Sequence, residues 1–135
     1  MTKKLLPLVL IAVTILLLAS CNKESDGKWD DNIRLSSKTA NFEAGIDSVS
    51  ISTEGTGWWV VDISVGDSTY YGFEDIDIES DNYTIQKGGI VVERRNLTTL
   101  FIQADANTTG TSRIISVGLE AGDYFDRVTI TQAAN

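Results

Sequence analysis

From Ile33 onward the apolar residues fall at every second position in short runs, and Gly, Asn, Asp and Ser cut the runs apart; this pattern builds strands, and no stretch carries a helical period. Val49, Ile51 and Thr53 alternate with Ser48, Ser50 and Ser52, which predicts a strand with one buried and one wet face. Residues 58–65, reading WWVVDISV, are the most apolar and β-branched stretch beyond the N-terminal segment and predict the central strand. Strict alternation there puts Trp59, Val61, Ile63 and Val65 in the core and Trp58, Val60, Asp62 and Ser64 on the outer face.

Residues 33–35 and 40–42 read as an interrupted first strand, with Ala44-Gly45 as the turn after it. Residues 90–93, 98–104, 113–119 and a last run around Val128 and Ile130 read as further strands, with turns at Asn107-Thr108-Thr109-Gly110 and Gly122-Asp123. Between Gly66 and Gly89 the pattern blurs into a long crossing segment with one or two irregular edge strands. About seven short strands with turns at regular intervals predict an all-β fold, an immunoglobulin-like antiparallel β-sandwich; a small closed barrel would share the pattern.

The 135 residues divide into a leader, a tether and a domain. Residues 1–20 open with Lys3 and Lys4 and continue as an aliphatic run shorter than the roughly 20 apolar residues of a membrane span, the shape of a signal peptide. Leu18-Ala19-Ser20-Cys21 resembles the lipobox of bacterial lipoproteins, which implies cleavage before Cys21, acylation of its thiol and a membrane reached through a lipid anchor. Residues 21–31 read as a flexible polar tether, in which Lys23-Glu24-Ser25-Asp26 resembles the acidic signal that sends lipoproteins of Bacteroidetes to the outside of the outer membrane. The expected location is the outer membrane, lipid-anchored, at the cell surface or on the periplasmic face. Residues 32–135 are the expected folded domain.

The formal charge is −8 and becomes more negative when Lys3 and Lys4 leave with the leader, so nucleic acid is not an expected partner. Histidine is absent, which removes the commonest general base and transition-metal ligand, and with Cys21 as the only cysteine no internal disulfide can form. No pair of acids is singled out for glycoside hydrolysis, and a sandwich this small offers little depth for a cleft, so no enzymatic activity is expected.

Trp59-Val60-Val61 follows a Ser/Thr/Gly turn; Asn107-Thr108-Thr109-Gly110-Thr111-Ser112-Arg113 leads into Ile114-Ile115-Ser116-Val117; Val128-Thr129-Ile130-Thr131-Gln132 closes the chain. In order and spacing these pieces resemble the BACON domain, an immunoglobulin-like module of Bacteroidetes proteins, over residues 33–135. Such modules often sit beside glycoside hydrolase domains, and the resemblance implies carbohydrate or glycoprotein binding, or a spacer role. The expectation here is a module with no domain after it, which argues against a spacer and weakens the transfer of a carbohydrate role; residues 66–89 also depart from the family pattern. Two functions follow: a non-catalytic module that binds glycan or glycoprotein, or an accessory envelope protein that docks on another protein through a sheet edge or face.

Trp58, Tyr70, Tyr71, Phe73 and Tyr83 are the candidate ligand-binding residues, because exposed rings stack on the apolar faces of sugars and anchor interfaces. Trp58 leads them by strand parity, and the competing expectation is that these rings cover the sheet. Asp75, Asp77, Glu79 and Asp81 would share one face of an extended segment and crowd hard oxygen ligands together, a candidate Ca²⁺ site. Its competitor is a solvated, repulsive edge that blocks strand pairing, and no other cofactor is expected. Asp47-Ser48-Val49 and Asp67-Ser68-Thr69 resemble the short O-glycosylation signal of secreted Bacteroidetes proteins.

Overall fold

The computed structural model describes residues 29–135, so the leader, Cys21 and most of the tether lie outside the described residues. Among those described, the strands are β1 (Thr39–Phe42), β2 (Asp47–Ser52), β3 (Trp59–Val65), β4 (Ser68–Tyr70), β5 (Tyr83–Lys87), β6 (Ile90–Arg95), β7 (Thr99–Ala104), β8 (Arg113–Ala121) and β9 (Tyr124–Gln132). They form one sheet in the order β1-β9-β8-β3-β4 and a second in the order β2-β7-β6-β5. Strand β1 runs parallel to β9, and the remaining neighbours are antiparallel. This is the expected β-sandwich, and its two separate sheets set aside the closed barrel. The strands number nine among the described residues, more than the seven expected, because the blurred stretch contains β4 and β5, which edge the two sheets.

The core lies between the sheets. Ile51, Ile85, Val92, Leu100 and Ile102 from one face meet Ile63, Ile115, Val117, Leu119, Val128 and Ile130 from the other, all of them fully buried. Each such side chain contributes about 1.5–3 kcal/mol relative to leaving it in water, and no disulfide is needed to hold the layers. The side-chain period of β8 shows why the register holds: slipping by one residue would send Ile115, Val117 and Leu119 to solvent together.

Strand β3 departs from strict alternation. Trp59 pairs with Glu120 and Val60 with Leu119, but the next partner of β8, Gly118, faces Asp62, so Val61 is an unpaired extra residue in a β-bulge. Parity therefore reverses on its N-terminal side: Trp58 and Val60 are buried with Ile63, while Trp59 and Val61 are only half-buried. This corrects the expected outer-face position of Trp58 and Val60 and the expected core position of Trp59 and Val61. Asp62 keeps its expected side of the sheet, yet it is buried for a reason described below.

Two of the pieces that carry the family resemblance, the turn at 107–113 and the end of β9, are joined at one end of the sandwich. Asn107 is fully buried; its Nδ2 donates to the carbonyls of Thr111 (2.7 Å) and Ala133 (3.0 Å), and its Oδ1 accepts from the Thr109 hydroxyl (2.7 Å). Gln132, also fully buried, donates to the carbonyls of Gly45 and Asp105 and accepts from Arg113 Nε at 2.8 Å. A buried amide must find such partners, and these tie the turn before β8 to the end of β9.

Candidate functional site

The residues expected to bind ligand scatter. Trp58 is 1% exposed: its Nε1 donates to Thr53 Oγ1 at 2.9 Å, and the Arg94 guanidinium covers the ring 4.9 Å from its centroid. Phe73 and Tyr83 are buried in the core cluster, and the Tyr83 hydroxyl accepts from the Val60 N–H at 3.0 Å. Burial pushes the Tyr83 phenol up from its ordinary pKa. Tyr70 is half-buried at the sheet edge, and only Tyr71, 71% exposed, presents its ring to solvent. Packing thus claims three of the five rings, because burial of an aromatic side chain on folding outweighs the use of its face for binding.

The acidic stretch is not extended. Ile76 N–H donates to the Phe73 carbonyl (2.9 Å) and Ser80 N–H to that of Asp77 (3.1 Å), folding the segment into successive turns. Ile76 and Ile78 pack against the core, and Asp75, Asp77, Glu79 and Asp81 point outward, all exposed. The shared face expected from extended geometry does not form. Among the described residues no three Asp, Glu, His or Cys side chains converge as a metal-holding group. Ser48 on β2 and Ser68 on β4 are both exposed.

A different constellation sits on the outer face of the five-stranded sheet. The pairings Trp59 with Glu120 and Glu120 with Phe125 align these three side chains in one row across β3, β8 and β9. The next row is Asp62, Gly118 and Arg127, and carrying the β3–β4 register one residue further sets Tyr71 beside Asp62. Arg127 grips Asp62 through two bonds of 2.7 Å, Nη1 to Oδ1 and Nη2 to Oδ2, and Nη1 also donates to Ser116 Oγ at 2.9 Å. The Asp62 carboxylate that accepts these bonds holds the guanidinium above its ordinary pKa. Gly118 is what lets the pair lie flat: a Cβ there would collide with the Asp62 carboxylate and approach Arg127 Nη2 to 2.9 Å.

Two hollows meet at the Val61 bulge, the first beside the Asp62–Arg127 row and the second beside Trp59. The first, about 330 Å³, is lined by Asp62, Gly118, Phe125 and Arg127 among others, and the second, about 370 Å³, by Trp59, Phe73, Ile76 and Ile78 with Glu74 also on its wall. Phe125 is 63% exposed, so it and Tyr71 offer ring faces on the two flanks of a planar hydrogen-bonding pair. Sequence reasoning sets Arg127 with Thr129 and Thr131 in the last strand, alternating with Val128 and Ile130, but gives it no role and passes over Phe125. The signal was present, since Phe125 shares the parity of Arg127, Thr129 and Thr131 and is an apolar ring on a wet face.

No family model matches the chain, and none of the curated proteins does. Among solved structures, the chain is similar to an NMR structure of a protein from Bacteroides thetaiotaomicron, at 19% identity over 83% of this chain and 94% of that one, with a TM-score of 0.61. It also aligns with a Bacteroides ovatus GH5 xyloglucanase in complex with a XXXG heptasaccharide, at 18% identity and a TM-score of 0.43, over 73% of this chain and 17% of the enzyme. The first likeness shows the shared fold and nothing about ligands; the second carries no argument.

Proposed function

We propose that the protein is a cell-envelope lipoprotein, anchored through Cys21, whose BACON-like sandwich is a non-catalytic module that binds glycan or glycoprotein on the outer face of its five-stranded sheet. The observation that carries this reading is the pairing of exposed rings, Tyr71 and Phe125, with the Asp62–Arg127 pair seated over Gly118. Sugars offer just these two surfaces, an apolar C–H face for stacking and hydroxyl pairs that both donate and accept. Asp31 accepts from the N–H groups of Ile33 and Arg34, so the link back to Cys21 is short, a reach of at most about 35 Å when fully extended.

A second reading, docking on another envelope protein, has support from Ile114, which is exposed on the same face and would serve as an anchor. The edge of β2 suits docking less well. Ser36 and Ser52 bond to each other there, and the Asp47 carboxylate takes the Ser48 N–H.

Binding of the detergent-solubilised chain to a glycan array separates the two. Reproducible hits that Phe125→Ala and Tyr71→Ala weaken by at least about tenfold, with the melting temperature unchanged, support glycan binding. Silence on the array together with a co-purifying envelope protein whose capture Phe125→Ala abolishes would support docking instead.

A further inference from the structure

An arginine whose side chain is 46% exposed beside two aromatic rings would ordinarily recruit a carboxylate or a sulfate, since its planar fork matches both. Arg127 is not free to do so. Both of its terminal nitrogens are engaged by the Asp62 oxygens, and Nη1 also serves Ser116. What the pair still offers outward is mixed: the remaining guanidinium N–H groups donate and the carboxylate lone pairs accept, side by side. A hydroxyl satisfies both kinds of partner, whereas a carboxylate satisfies only the first and meets the Asp62 charge.

The surroundings reinforce this. Glu120 stands in the row between Trp59 and Phe125, and Glu74 lines the second hollow. Among the described residues neither has a salt-bridge partner, while Asp126 at the first hollow is taken by Lys38 at 2.8 Å. The one cation of the site is therefore neutralised, whereas Glu120 in the adjacent row and Glu74 at the second hollow are not, within a chain that is itself strongly acidic. An acidic sugar would be placed among like charges in a partly desolvated hollow.

We infer that this face selects uncharged glycans over uronic, sialic or sulfated ones, and that Asp62, by holding Arg127, is the residue that sets the choice. The inference rests on the glycan-binding function proposed above and narrows its ligand class. Asp62 acts as a mask: it keeps a guanidinium present for hydroxyl recognition and withdraws it from anion recognition.

The test is an array carrying neutral oligosaccharides beside the same backbones bearing uronate, sialate or sulfate, probed with the full chain in detergent at low and high salt. The expected result is neutral hits only, with acidic counterparts at least about tenfold weaker, and a smaller gap at high salt. Asp62→Asn should release Arg127, lowering neutral binding and raising acidic binding by about tenfold or more. Because that change also breaks a buried pair, the double variant Glu120→Gln/Glu74→Gln provides a second reading: it should fold with an unchanged melting temperature and narrow the gap several-fold. Acidic glycans that bind the parent as well as neutral ones overturn the selectivity and leave glycan binding standing. A gap that both variants leave untouched overturns the role given to Asp62 and its acidic neighbours. Silence on every glycan overturns glycan binding and the selectivity with it.

Discussion

At the scale of single residues, neighbouring tryptophans have opposite fates. Trp58 fills the core, satisfies its indole N–H on Thr53 and is covered by Arg94, whose Nη1 and Nη2 in turn donate to the carbonyls of Ser80 and Thr56. Trp58→Ala should therefore lower the unfolding free energy by about 3–5 kcal/mol, read by denaturant titration, whereas a solvent-facing ring would cost under about 0.5 kcal/mol. Phe125 is the contrasting case: an exposed ring whose truncation should leave stability within that smaller figure and show only in binding. Gly118 shows the same logic from the other side, since the absence of one methyl group decides whether Asp62 and Arg127 can share the sheet surface.

At the scale of elements, the bulge in β3 links fold to site. Pairing with β8 is continuous on both sides of Val61, so removing that residue leaves Trp59 opposite Glu120, Val60 opposite Leu119 and Asp62 opposite Gly118. Deletion of Val61 should accordingly fold, with an unfolding free energy within about 1 kcal/mol of the parent, because inner and outer faces keep their residues. The two hollows that meet at Val61 would lose their shape, and glycan hits on the array should fall with them. Unfolding of the deletion variant would mean that the bulge is needed for closure of the sandwich and not for the form of the site. The turn segment before β5 serves the fold in another way, since Ile76 and Ile78 hold it down on the core while its carboxylates keep the surface solvated.

At the scale of the whole molecule, the absence of histidine shapes the pH response. No side chain with an ordinary pKa near neutrality is present, so the melting temperature should move by less than about 2 °C between pH 6 and pH 8.5. Above that range the Tyr83 phenol matters. Its pKa is raised in the folded state by burial, so the stability it contributes is complete below the ordinary tyrosine value of about 10 and is lost as pH rises through the folded value. The unfolded chain releases the proton first, and alkaline unfolding should set in above about pH 10 and weaken in Tyr83→Phe, as followed by circular dichroism. On the acid side the Arg34 N–H holds the Asp31 carboxyl below its usual range. The small stability it adds is present above about pH 4 and fades as pH falls through the lowered value.

Alternation alone determined the class of fold, the strands β2, β6, β7 and β8 to within a residue or two, and the core faces built on Ile51, Leu100, Ile102, Ile115, Val117, Val128 and Ile130. It did so because a period of two has one physical outcome when one face must leave water. The same rule misplaced Trp58 and Val61, since one unpaired residue reverses parity and nothing local to WWVVDISV announces it. Of the residues chosen for the candidate site, Tyr71 alone stands exposed on the face that now carries it; Phe125, Arg127, Glu120 and Gly118 joined it through pairings between strands far apart in the chain. Which aromatic rings pack and which stay in water is settled by the competition for core volume, a property of the assembled sheets that no single stretch of sequence contains.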